Sequence, residues 1–99
     1  MRKIYFGDFR LYVLGHIKEI QQNEIEAYTT EWFLLRYLKK ITKVTEGKTE
    51  YTRVEGPVRS LIRFYVDNID ERSELADRCK KIHHEYRKTL YEKQSSKYS

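Results

Sequence analysis

Ile4-Tyr5-Phe6-Gly7-Asp8-Phe9-Arg10-Leu11-Tyr12-Val13-Leu14 is the stretch on which the fold turns. Two apolar runs flank a Gly-Asp pair, the residue types that suit a two-residue hairpin loop because its turn demands backbone angles they tolerate. In that register Phe6 lies across from Phe9, Ile4 from Leu11, Tyr5 from Arg10 and Lys3 from Tyr12. Side chains alternate between the faces of a strand, so Ile4, Phe6, Phe9, Leu11 and Val13 form a core face. The other face carries Lys3, Tyr5, Arg10, Tyr12 and Leu14, too polar for a core and too apolar for open water. Something is expected to cover it.

Beyond Gly15, the positions Ile17, Ile20, Ile25 and Tyr28 fit an amphipathic helix, interrupted by Gln21 and Glu24. Thr29-Thr30 then offers an N-cap for a second helix, with Glu31 favourable in its first turn. That helix, Trp32 to Ile41, is apolar at 32, 33, 34, 35, 37, 38 and 41. Its apolar arc spans roughly 200°, about twice the stripe of an ordinary surface helix. Arg36, Lys39 and Lys40 occupy what remains. A short chain has little material to cover such a surface, which is a second reason to expect a partner.

Alternating Thr, Val and Tyr from Ile41 to Val54, around Glu46-Gly47-Lys48, read as a second hairpin, weakly apolar and able to project as an arm. Gly56-Pro57 closes it, Pro57 suiting the first turn of a helix. Val58, Leu61, Ile62, Tyr65, Val66 and Ile69 give the cleanest helical stripe, with Phe64 lying off it. Asn68 with Glu71 resembles a capping box for a last helix. Leu75, Cys79, Ile82, Tyr86 and Leu90 form that helix's narrow seam. The expected architecture is α+β: two β-hairpins with three to four helices in one domain over residues 1–93, and a frayed polar tail over 94–99.

The chain's 99 residues are 39% apolar and 35% charged, the latter well above the usual ~25%. With only Ala27 and Ala76 for alanine and a single cysteine, this balance resembles that of heat-adapted proteins. One cysteine, Cys79, allows no internal disulfide and suits a reducing interior. No apolar run is long enough for a secretory signal or a membrane span. The net charge is +5, unevenly spread. Residues 78–97 hold seven Lys or Arg against Glu85 and Glu92, a local +5; residues 67–77 hold five acids against Arg72, a local −4. Acids early and bases late match the macrodipole of the last helix, and Glu74 to Arg78 and Asp77 to Lys81 fall at the supportive four-residue spacing; the basic end is also a candidate anion-binding surface.

Gly47-Lys48-Thr49 ends like a phosphate-binding loop, but Thr42 stands where that loop needs its earlier glycine, and a strand rather than a helix is expected to follow. His83 and His84 are adjacent, so their rings diverge by about 100° on a helix and chelate poorly. Cys79, His83 and Glu85 are the best metal set available, and Cys79 with His83 the best nucleophile pair. Yet Cys79 sits mid-helix, where nothing stabilises a thiolate. No serine has the flanking glycines of a nucleophile elbow. The reading is therefore a non-enzymatic protein with no catalytic residue, no metal site and no cofactor.

Binding remains. The leading reading is an interaction or structural protein acting as a homodimer, interwoven if the second hairpin reaches over its partner. Tyr5, Tyr12, Leu14, Trp32, Phe33 and Tyr37 are its expected interface, since Tyr and Arg are residues that interfaces favour. The alternative is nucleic-acid binding, with tyrosines of the first hairpin stacking on bases and Lys3, Arg10, Arg78, Lys80, Lys81, Arg87 and Lys88 holding phosphates.

In overall texture the chain resembles small proteins of filamentous viruses that infect hyperthermophilic archaea. The likeness rests on its compact length, on stretches such as Arg63-Phe64-Tyr65 and Tyr86-Arg87-Lys88, on scarce alanine and on the missing catalytic signature. No motif carries it, so no residue role is transferred. The resemblance implies expression in an archaeal host, residence in the host cytoplasm or the virion, an unknown host or viral protein as a further candidate partner, and work in genome handling, virion building or host contact.

Overall fold

Phe6, Phe9, Val13, Ile17 and Ile20 follow one another at steps of three and four residues, and this helical spacing prevails over strand alternation. The computed structural model, which describes residues 3–95, has six elements in the order β1 (Lys3–Tyr5), α1 (Gly7–Ile20), α2 (Thr30–Val44), β2 (Lys48–Glu50), α3 (Tyr51–Asn68) and α4 (Glu74–Ser95). Four helices and one two-stranded antiparallel sheet make a small α+β fold.

Neither expected hairpin forms. Gly7-Asp8 opens a helix instead of a turn, with Asp8 placed where the helix dipole favours an acid. The face that was to carry Lys3, Tyr5, Arg10, Tyr12 and Leu14 therefore does not exist, because alternate residues on a helix point about 200° apart. Leu11, expected in the core, is 65% exposed, while Ile4, Phe6, Phe9 and Val13 are buried as expected. β1 pairs with β2 rather than with its own neighbour, in the register Lys3↔Glu50, Ile4↔Thr49, Tyr5↔Lys48. The second hairpin is replaced by the end of α2, a turn in which Gly47 takes φ +67°, the short β2 and the start of α3. The arm that was to embrace a second subunit is thus consumed within the chain.

Each helix touches two others, α1 with α2 and α4, α3 with α2 and α4, around one cluster of buried side chains. Phe6, Phe9 and Tyr86 form its aromatic centre, with ring centroids 5.6–6.4 Å apart, where offset and edge geometries are favourable. Leu34, Leu38, Ile41, Val54, Val58, Leu61, Cys79 and Ile82 complete it. Burying Val54 as well as Val58 explains why α3 runs through Pro57 instead of starting there: the apolar stripe extends one turn further back. That burial offsets the backbone bond that proline cannot make.

Other expectations shift more modestly. α1 stops at Ile20, and residues 21–29 form turns and loop rather than a continuing helix. The cap of α4 is Ser73, whose Oγ accepts from the Ala76 amide at 3.2 Å, and not Asn68, which lies at the end of α3. The seam Cys79, Ile82, Tyr86 is buried, with Leu75 and Leu90 packed at its ends. α4 extends to Ser95, into the stretch expected as a tail; residues 96–99 of that tail lie outside the described residues. No helix among the described residues is long and apolar enough to cross a membrane.

Candidate functional site

The buried side of α2 is set by Leu34, Leu35, Leu38, Ile41 and Thr42. Helical periodicity then fixes what must face outward: one stripe of Trp32, Arg36, Lys40 and Lys43, and beside it Phe33 and Tyr37. The chain enters this helix through Thr29, whose Oγ1 accepts from the Trp32 amide at 3.3 Å and donates to the Glu26 carbonyl at 2.8 Å. The cap holds the first turn, and with it the tryptophan, in place.

Five rings form one continuous surface ridge here. Tyr28 lies 4.8 Å from Trp32 and 6.3 Å from Phe33; Trp32 and Phe33 meet edge-on at 5.0 Å; Phe64 from α3 lies 6.2 Å from Phe33 and 5.0 Å from Tyr37. Tyr37 and Phe64 also pack on the core, whereas Tyr28 is 77% and Phe33 37% exposed. Tyr28 adopts φ +66°, the left-handed region that costs an L-residue with a Cβ about 1–2 kcal/mol. Strain of this kind persists where surrounding structure enforces it, and it concentrates at working surfaces.

Cations run beside the rings. The Arg36 guanidinium carbon stands 5.1 Å from the centre of the Trp32 ring, a cation–π contact. Phe33, Arg36, Tyr37 and Lys40 line a depression of about 500 Å³. Arg36, Lys39, Lys40 and Lys43 are all exposed, and none has an ion-pair partner among the described residues. Against these four, α2 carries one acid, Glu31, so the helix has a net charge of +3.

The cations expected to bind nucleic acid fare differently. Arg10 donates through Nε to the Thr42 carbonyl at 3.0 Å and pairs with Glu46. Arg78, largely covered, bridges His16 Nδ1 at 3.0 Å, Glu19 at 3.4 Å and Glu74 at 3.2 Å. Lys80 pairs with Glu71 and Lys81 with Asp77. Lys3 faces Glu50 across the ladder. Arg87 and Lys88 remain, bordering a depression of about 550 Å³ with His84, Leu90 and the exposed Tyr91. The basic patch read from α4 is thus in good part internal pairing.

Of the expected interface, Trp32, Phe33 and Tyr37 come together in the ridge. Tyr5, Tyr12 and Leu14 do not. The Tyr5 ring lies over Gly7, where a Cβ would overlap it. Tyr12 packs against His16 at 4.8 Å, and Leu14 rests on the core. Tyr28 and Phe64 are ridge members that sequence reasoning missed. Phe64's place off the apolar stripe of α3 is the available signal; Tyr28 fits the apolar spacing of the first helix, but that helix ends at Ile20 and leaves it in the turn before α2.

Cys79 is fully buried, and desolvation pushes its thiol up to about 12, far from a reactive thiolate. Among the described residues no three His, Cys, Asp or Glu side chains converge to hold a metal. The acidic cleft of about 400 Å³ lined by Glu19, Glu24, Glu31 and Glu74 is partly neutralised by Arg78. Comparisons with protein-family models, with curated proteins and with solved structures find no match.

Proposed function

We propose that this is a non-enzymatic binding protein that docks a partner on the ridge built by Tyr28, Trp32, Phe33, Tyr37 and Phe64. The observation that carries the reading is the continuity of five rings at the surface beside four exposed cations that have no ion-pair partner among the described residues. Aromatic side chains offer large contact area at small entropic cost, and Arg beside them is typical of recognition surfaces. The likeness in texture to proteins of archaeal filamentous viruses accords with such a task, since genome handling, virion building and host contact all rest on binding.

Self-association is the second reading, supported by Trp32, Phe33 and Tyr37 sharing one face. A two-fold contact that sets the two ridges antiparallel brings each cation stripe close to its own copy, and like charges brought together oppose docking. The test compares the native chain with Tyr28→Ser/Phe33→Ser, checked for an unchanged far-UV spectrum. Light scattering over a concentration range reads self-association, and anisotropy titrations against anionic polymers read other partners. The reading expects the double variant to lose whichever association the native chain shows. A monomeric native chain that matches the variant in every titration overturns it.

A further inference from the structure

We infer that the partner of the ridge is a single-stranded nucleic acid, its bases stacked on Trp32, Phe33 and Tyr28 and its phosphates held by Arg36, Lys39, Lys40 and Lys43. This rests on the docking reading above and narrows it to one class of ligand.

A protein partner of ordinary composition meets a docking face through an apolar centre and a rim of mixed charge. Here no carboxylate of α2 stands among the outward cations, and Glu31 lies on another side, in the acidic cleft. Burying four cations that have no ion-pair partner among the described residues against a neutral surface costs their hydration without return. The occupant must be anionic along its length and must also offer flat apolar faces.

Geometry adds the second element. Trp32, Arg36, Lys40 and Lys43 recur at steps of four, four and three residues, so the cations form a line along the helix axis. One helical turn advances about 5.4 Å, comparable to the spacing of successive phosphates in an extended strand, while the rings of Trp32 and Phe33 stand beside that line. Charged groove and adjacent stacking platform are the two parts by which proteins hold single strands without reading sequence. In a duplex the base faces are already stacked on one another, so the rings find no faces to meet, which favours the single strand. The depression between Phe33, Arg36, Tyr37 and Lys40, about 500 Å³, gives one base a seat between two rings and two cations.

The experiment titrates the full chain into fluorescein-labelled oligothymidylate and oligouridylate of about 16 nucleotides, a matched duplex, and polyglutamate, following anisotropy. Four phosphate contacts predict a slope of log K against log salt of about −3, or roughly 50-fold weaker binding at about 200 mM than at about 50 mM salt. Trp32→Ala or Phe33→Ala should weaken single-strand binding about tenfold, and Arg36→Gln/Lys40→Gln should flatten the salt slope. Equal affinity for duplex and single strand, insensitive to both ring variants, overturns the inference. Binding of polyglutamate alone, or self-association alone, overturns it while leaving the docking reading standing. A monomer that binds none of the probes removes both.

Discussion

Replacing Tyr86 by Phe removes one oxygen from the centre of the fold and leaves its packing otherwise intact. The ring is 3% exposed and packs against both Phe6 and Phe9, while its hydroxyl donates to Glu55 Oε2 at 2.8 Å, joining α4 to α3. Burial above all, with the Glu55 contact second, raises the phenol far above its usual ionisation range, so it is a donor at every working pH. A hydrogen bond to a charged acceptor is worth about 1.5–3 kcal/mol. The Glu55 side chain is 31% exposed and also meets Arg59 at 3.3 Å, so water and the guanidinium recover part of that loss. The expected cost of Tyr86→Phe is therefore about 1–2 kcal/mol, a fall in Tm of roughly 5–15 °C for a domain of this size. Urea unfolding followed by far-UV circular dichroism gives the free energies, and a cycle with Glu55→Gln isolates the pair. A coupling below about 0.3 kcal/mol would refute the claim that this bond joins the two helices.

Other consequences concern titration, strain and reactivity. Burial, then Arg78, lowers the pKa of His16 below its ordinary 6.5, with Lys81 acting in the same direction and Glu19 and Asp77 opposing. The unfolded chain therefore takes up the proton first; the stabilisation is complete above about pH 6.5 and is lost as pH falls through the folded value. His16→Gln, which keeps an acceptor for Arg78, should flatten the midpoint-against-pH curve below neutrality; identical slopes would contradict the assignment. At position 28, Gly should be more stable than Ala by about 1 kcal/mol, because both lose the ring and only Ala keeps the left-handed penalty; equal thermal midpoints would remove the strain from the account. Cys79 should resist iodoacetamide at about pH 8 in the native chain and react at once in denaturant. Comparable rates in the two states would mean that the thiol is not buried.

Much of the helical core was legible because its signals are local. Val58 and Leu61, and Cys79, Ile82 and Tyr86, sit one or two turns apart, so their spacing alone reveals the buried side. Thr29 as a cap and the excess of rings on α2 were equally plain. The N-terminus misled because its apolar residues satisfy both periods over a short window, and only continuation through Ile17 and Ile20 decides for the helix. The true partner of β1 lies at Lys48–Glu50, a pairing that no local pattern announces. Of the residues expected at an interface, Trp32, Phe33 and Tyr37 share one helix and lie together, whereas Tyr5, Tyr12 and Leu14 were joined to them only by a strand register that does not form. The pairing of Arg78 with Glu74 and of Lys81 with Asp77 was legible in their four-residue spacing, whereas the reach of Arg78 to His16 and Glu19 on α1 depends on packing that no local pattern announces.

Trp32 is the chain's single tryptophan and stands within the ridge, so its emission reports directly on whether a ligand lies there. Titrating oligothymidylate at low salt should quench that emission to a plateau, in step with the anisotropy of the labelled strand, and added salt should restore it. Anisotropy that rises while the emission stays constant would put the strand elsewhere, and no change in either would leave the ridge without this ligand.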